Sequence, residues 1–447
     1  MRGNRFSIGW GAALAIITVT MLVPSSWASS QENVLYNFQG GSDGNYPIGG
    51  LVVDAQGNLY GTTDIGGGGS CIGGCGTVFK LTPTKQGSFK KTILYTFQGA
   101  FSDGQNPQAR LVFDKQGNLY GTTTGGGSTV DANGTVFKLT PTKRGEWAET
   151  IIHNFNCSTA NDGCEPYSYL IFDSAGNLYG TTLLGGGGDN SSYCINGCGT
   201  VFKLSKSKKG PWPETLLYTF PHFFNSTGAN PYAGLLMDAA GKLYGTTYYG
   251  GDPGLGTVFR LTPPAHHAKK LWTHTVLHNF SSNGTDGFSP YAGLVMDKSG
   301  NLFGTTTRGG DASLPYGTVF MLTPKSGGDW TETIIHDFAS PRYVDGESPD
   351  TGVIEDAAGN LYGAASTGGG RAEVNCPDYD GCGVIYKLAN SHGAWSETIL
   401  YAFQGGTDGG LPSDDVLVFD THGNLVGTAV SGGSGGAGAG IVFRVKP

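Results

Sequence analysis

The sequence is short of positive charge. Lys and Arg number 27 against 35 Asp and Glu, and charged residues of both signs make up only 14% of the chain. Without Arg2 and Arg5, which precede the apolar run discussed next, 25 basic residues face 35 acidic ones, a net of −10 with histidine neutral. Phosphate recognition needs a basic face, so nucleic acid is excluded as the main partner. Long apolar runs are equally scarce. The one from Ile8 to Val23 is shorter than the about 20 residues a comfortable membrane span needs, and no second one closes the chain. A helical period of apolar residues is also missing, which excludes helical bundles.

What is present at the start reads as a leader. Arg2 and Arg5 precede the apolar run, and Ser26-Trp27-Ala28 offers small residues at both positions a signal peptidase reads. Residues 1–28 are therefore assigned as a signal peptide and 29–447 as a single domain, secreted or periplasmic. The eight cysteines fall into four close pairs: Cys71 with Cys75, Cys157 with Cys164, Cys194 with Cys198, and Cys376 with Cys382. Behind a signal peptide this pattern predicts local disulfides. Zinc is the rival, with Cys157, Cys164, Cys194 and Cys198 the one set able to converge, but no histidine accompanies any pair.

The dominant feature is a repeat. Asp54-Ala-Gln-Gly-Asn-Leu-Tyr-Gly-Thr-Thr63 returns in near-copies at Asp114, Asp173, Asp238, Asp297, Asp356 and Asp420. A period of about 60 residues marks a repeat architecture. Each unit holds four short segments rich in branched and aromatic residues, in the first Leu51-Val-Val53, Asn58 to Thr63, Gly76 to Leu81 and Thr92 to Phe97. Gly, Pro, Asn and Asp separate them, as in antiparallel strands joined by turns. Glycine, 77 of 447 residues, is accounted for by those turns. Four strands per unit predict an all-β, seven-bladed propeller with four-stranded antiparallel blades. The last repeat stops after its third strand at Val445, while Val34 to Phe38 is a fourth strand without a blade. The N-terminal strand is expected to pair in the last blade and close the ring.

Connectivity then sorts the loops. With the first strand innermost, the loops before it and those between strands two and three share one end, the upper face. That face carries the cysteine pairs and the Asp-Gly-x-x-Pro turns at Asp43, Asp103, Asp162, Asp286 and Asp345, with a longer version at Asp408. Variable loops on a rigid scaffold are where binding belongs. The DxxGNLYGTT, Gly-rich and GTVFKL blocks together resemble the GloVer repeat of secreted bacterial proteins, described as choice-of-anchor tandem-repeat proteins. The resemblance spans the mature chain and implies an exported, propeller-like protein; it brings no activity or catalytic residues. Family members are often tethered through a C-terminal sorting segment, whereas Val445 is followed directly by Lys446-Pro447, so surface anchoring is not expected.

Repeated residues read as scaffold. His153, His278 and His336 occupy the slot held elsewhere by Tyr36, Tyr95, Tyr218 and Tyr401, on different blades, and are expected to be structural. Trp147, Trp212, Trp272, Trp330 and Trp395 all precede a fourth strand and are expected to pack. The Gly-rich runs open no helix and lack a following Lys-Ser/Thr, so they are turns and not phosphate cradles. Calcium suits the oxygens of Asp-Gly-x-x-Pro loops, yet one carboxylate per turn favours plain turns; no cofactor is expected and no metal ligand is assigned.

Departures from the repeat carry the functional expectation. Arg110 and Tyr169 replace the glycine found at 50, 234, 293 and 352, and Glu355 stands where other blades have Val53, Phe113, Phe172, Met237, Met296 and Phe419. A carboxylate in an apolar slot must be paired or carry a raised pKa. Asp350, Asp414 and Asp415 are placed with Glu355 at the channel mouth as candidate acid and base groups. Arg308 and Arg371 lie in upper loops, and Tyr167, Tyr232, Tyr291, Tyr248 and Tyr249 face the same mouth. Aromatic faces beside Arg and carboxylates suit a glycan or a protein partner, bound by a monomer. Binding without catalysis is the favoured function. The alternative is a carbohydrate-active hydrolase or lyase, which needs a deep mouth and a carboxylate pair about 5–10 Å apart; a structural envelope component is the third.

Overall fold

The computed structural model describes residues 32–447 apart from 100–102, 128–131, 159–161, 188–193, 195–196, 209, 222–225, 266–270, 312–314, 339–344, 371–375, 377–380, 413–416 and 435–437. The signal-peptide assignment lies outside the described residues, as do Arg371, Asp414 and Asp415. Among the described residues no α-helix occurs and strands fill the repeat. In blade 1 the strands are Val52–Val53, Leu59–Thr63, Thr77–Pro83 and Phe89–Thr96, hydrogen-bonded in chain order. Five further sheets repeat that order, and a sixth takes its outer strand from the N-terminal end, giving a seven-bladed β-propeller of four-stranded antiparallel blades.

The most repeated motif builds its own hairpin. Asp54 Oδ1 accepts the backbone N–H of Gln56 and Asn58, and Oδ2 accepts Asn58 Nδ2 at 2.7 Å and the Tyr60 hydroxyl at 3.0 Å. Gly57 makes the turn at φ +77°, where a side chain would be strained. These bonds hold Asp54 below the usual carboxylate range although burial opposes it. The glycine of LYGTT has a packing reason. Gly180 lies opposite Phe202 in the ladder, and a Cβ there would sit 2.7 Å from the ring's Cζ.

Blades adhere through apolar side chains shared across each junction. Phe79, Phe137, Phe202, Phe259, Phe320 and Phe443 are fully buried. Each contributes roughly 1.5–3 kcal/mol by burial alone. The seven core clusters each draw on two neighbouring sheets; one joins Leu51, Leu59 and Phe79 of blade 1 to Phe38, Val426 and Val442 of blade 7. The tryptophans pack across junctions, as their repetition predicts: Trp147 on Tyr60, Trp212 on Tyr120 and Trp395 on Phe303, with ring centroids 5.9–6.4 Å apart. Asn33–Asn37 pairs antiparallel with Ile441–Val445, so the first described strand is the outer strand of the last sheet.

At the upper end the Asp-Gly turns and Gly-rich loops pair with each other, as at Gly163 with Gly185 and Gly287 with Gly309. This backbone pairing is what the Gly-rich runs serve. Cys71–Cys75, Cys157–Cys164, Cys194–Cys198 and Cys376–Cys382 are all disulfides, with Cα atoms 4.5–5.6 Å apart. The thiolate zinc alternative therefore falls.

Candidate functional site at the upper channel mouth

The segments entering the innermost strands of blades 2 to 6 converge on one recess. Tyr169, from blade 3, lies across the channel: a Cβ on Gly234 would meet its ring at 2.5 Å, and one on Gly293 would meet its hydroxyl at 2.7 Å. Glycine in blades 4 and 5 thus makes room for the one tyrosine. The Arg110 guanidinium sits 4.5 Å from the centre of the Tyr169 ring. A recess lined by Tyr167, Tyr169, Tyr232, Tyr291, Gly234 and Gly293 remains, with a volume of only about 40 Å³. That is room for a water or two, not for a substrate.

Around it the tyrosines form one continuous patch. Tyr232 stacks on Tyr291 at 4.9 Å and tilts against Tyr167 at 5.8 Å, while Tyr248 stands edge-on to Tyr232 at 5.5 Å and to Tyr249 at 4.6 Å. Burial, with Tyr167, Tyr249 and Tyr248 close by, pushes the Tyr232 hydroxyl up to about 12. It stays a neutral donor at physiological pH. Burial also raises the Glu165 carboxyl, which lies near enough to act on Tyr232.

Of the carboxylates assigned to this mouth, the two that are described, Glu355 and Asp350, do not meet. Thr351 is hydrogen-bonded to Ala364, whereas Glu355 pairs with Leu361, next to the hairpin at Asp356. Those partners are three strand residues apart, about 10 Å, and Asp350 lies beyond Thr351. Glu355 therefore occupies the lower, hairpin end of the blade, away from Asp350. Burial raises its pKa, helped by Asp297 and opposed by Lys298. Asp350 instead acts on the buried Tyr386. Arg308 is exposed in its upper loop, paired opposite Phe288 and outside the recess. The lower face has a recess of its own, about 370 Å³, between the hairpins of blades 2 and 3 with Phe113, Phe172, Lys115 and Lys206 in its walls.

A second constellation escapes sequence reading. At each blade junction the Tyr or His slot of one fourth strand, the following Asp-Gly turn, and the residue four before the next such slot come together. With tyrosine in the slot, its hydroxyl donates to the aspartate: Tyr36 to Asp43 at 2.8 Å, Tyr95 to Asp103 at 3.0 Å, and Tyr401 to Asp408. Where Thr227 replaces the aspartate, His274 stacks on Tyr218 at 4.2 Å and burial lowers its pKa to about 4. The three histidines sit at separate junctions, each between two carboxylates: His153 with Asp162 and Glu214, His278 with Asp286 and Glu332, His336 with Asp345 and Glu397. The readable signal was that every histidine in the slot is followed one blade later by a glutamate four residues ahead of the next slot.

Two stretches, 21–195 and 188–443, match the family model described as the Gloeobacter/Verrucomicrobia repeat. The chain belongs to that family. None of the curated proteins matches this Gloeobacter/Verrucomicrobia repeat protein. Among solved structures it is similar to a Trichoderma reesei protein of Carbohydrate-Active Enzymes Family AA12 (TM-score 0.43, 13% identity, covering 94% of this chain and 96% of that one). It is also similar to a protein from Lactobacillus plantarum (TM-score 0.44, 12% identity, 79% and 84% covered). A third is a Thermus thermophilus protein described as a putative oxidoreductase (glucose dehydrogenase) (TM-score 0.40, 16% identity, 75% and 95% covered). Likeness at this level assigns neither substrate nor residues to the repeat protein.

Proposed function

We propose that the protein is an exported binding propeller that recognises glycan through the tyrosine patch at its upper mouth, without catalysis. The observation that carries this reading is the joined aromatic surface of Tyr167, Tyr232, Tyr248, Tyr249 and Tyr291 beside the Arg110–Tyr169 stack. Sugar rings present apolar C–H faces and rims of hydroxyls, which tyrosine rings and hydroxyls meet together. The shallow recess argues for a surface binder, since a hydrolase or lyase would need a deep mouth with two carboxylates in range. Export is supported by four disulfides, which persist in oxidising compartments. The test is retention on immobilised polysaccharides. Tyr232→Ala or Tyr291→Ala is expected to weaken it about tenfold, the effect of losing about 1.4 kcal/mol of contact. Retention unaffected by either change, or a protein partner captured through the same tyrosines with no glycan bound, would overturn the glycan assignment.

A further inference from the structure

The histidine junctions differ from the tyrosine junctions in a way that calls for an occupant. A tyrosine hydroxyl reaches its aspartate at hydrogen-bond length, whereas the histidines stand off. His153 Nε2 is 3.5 Å from Asp162 and 3.8 Å from Glu214; His278 Nε2 is 3.3 and 3.5 Å from Asp286 and Glu332; His336 Nε2 is 3.5 and 3.3 Å from Asp345 and Glu397. These separations exceed the 2.7–3.2 Å of an N–H···O bond. All three Nε2 atoms are buried without a hydrogen-bond partner, as are Asp162 Oδ1, Glu214 Oε1, Asp286 Oδ1, Glu332 Oε1 and Glu397 Oε1. Asp286 is the sharpest case: its side chain is 6% exposed and Oδ2 accepts from Ser281, yet Oδ1 has no partner. Buried polar atoms left unpaired at three equivalent places are costly, by about 1–3 kcal/mol each.

The spacing matches a metal. Ligands bonded at 2.0–2.1 Å in a tetrahedron lie about 3.3–3.5 Å apart, close to the 3.3–3.8 Å between histidine and carboxylate in the three groups, whose ligand atoms all fall within 4.8 Å of one another. One imidazole with two deprotonated carboxylates would bring two negative charges to a ligand set, which a divalent cation neutralises. Such a donor set suits first-row transition ions, while calcium asks for six to eight oxygens. Three protein ligands leave one position for water.

We propose that the His153–Asp162–Glu214, His278–Asp286–Glu332 and His336–Asp345–Glu397 groups are three equivalent sites for a divalent transition cation such as Zn²⁺. Histidine and aspartate come from one blade and its exit turn, glutamate from the next blade, so each ion clasps a junction. The sites are structural and lie away from the tyrosine mouth, so they stand or fall independently of the glycan reading.

The test uses protein stripped with a chelator and dialysed against Zn²⁺ alone, with bound metal counted by elemental analysis and Tm followed in parallel. His153→Tyr, His278→Tyr and His336→Tyr restore the residue that other blades carry in the same slot, so folding is preserved. Three equivalents are expected, with one lost in each variant, all three lost in the triple variant, and the zinc-dependent rise in Tm lost with them. No zinc retained by the unaltered protein, or retention unchanged in the triple variant, overturns the proposal. Tyr95→His beside Asp103 and Glu149 gives a converse check, with a gain of one equivalent expected.

Discussion

Replacing Tyr169 by glycine tests the closure of the channel, because glycine is what blades 4, 5 and 6 carry in that slot. The ring is half-buried over Gly234 and under Arg110. Full burial of an aromatic ring is worth about 3–5 kcal/mol on truncation, so a half-buried ring accounts for about 2 kcal/mol. The Arg110 contact adds about 0.5–1 kcal/mol, and the freer backbone of glycine costs about 0.5–1 kcal/mol more. The sum, about 3–4 kcal/mol, is measured as a fall in stability by urea unfolding with an unchanged m-value. Tyr169→Phe keeps the stack and is expected to lose less than about 1 kcal/mol. Tyr169→Gly should also deepen the mouth and weaken glycan retention. A stability change below about 0.5 kcal/mol, within the ordinary range for surface substitutions, would refute the placement of the ring across the axis.

Three further outcomes follow from the scaffold. Asp114→Ala removes the acceptor of Gln116 N–H, Asn118 N–H, Asn118 Nδ2 and the Tyr120 hydroxyl, and a loss of about 2–4 kcal/mol by denaturant titration is expected from several bonds to one charged group. Its pKa is held low by those bonds, so the contribution is present above the unfolded pKa and disappears as pH falls through the folded value; the gap between wild type and variant should close in acid. Glu149 shows the opposite sign: burial and the nearby Asp103 raise it to about 7. Its protonated form is favoured in the fold, and that contribution is complete below the unfolded pKa and lost as pH rises through about 7. Glu149→Gln should raise the urea midpoint at pH 8.5 and leave it unchanged near pH 4. Gly180→Ala places a Cβ 2.7 Å from Phe202 and 3.0 Å from Leu170; a loss of about 1–3 kcal/mol is expected from overpacking, read as a lowered Tm.

Much of this molecule was legible because its period is strict. The repeat of DxxGNLYGTT and GTVFKL set strand number, hairpins and the unpaired ends, since each residue at fixed spacing meets the same neighbours in every blade. The same logic identified Trp147 and its equivalents as packing residues and drew attention to Arg110 and Tyr169, whose departure from glycine became a stack across the axis. Glu355 shows where that logic stopped. Its slot was recognised as unusual, but its adjacency to the Asp356 hairpin puts it at the lower end, so it cannot join Asp350 at the upper mouth. The His–Asp–Glu groups were missed for a different reason: their third member comes from the next blade, about one 60-residue period later, and only the folded ring brings it within 4 Å of the histidine.

The most direct measurement of the central claim is a polysaccharide panel screened with the purified protein, recording retention and released products together, with and without a chelator. Retention is expected to depend on Tyr232 and Tyr291, with no product released and no loss at the mouth when metal is removed. Release of shortened or unsaturated sugars, abolished by a carboxylate substitution such as Glu355→Gln, would contradict it and make the protein an enzyme.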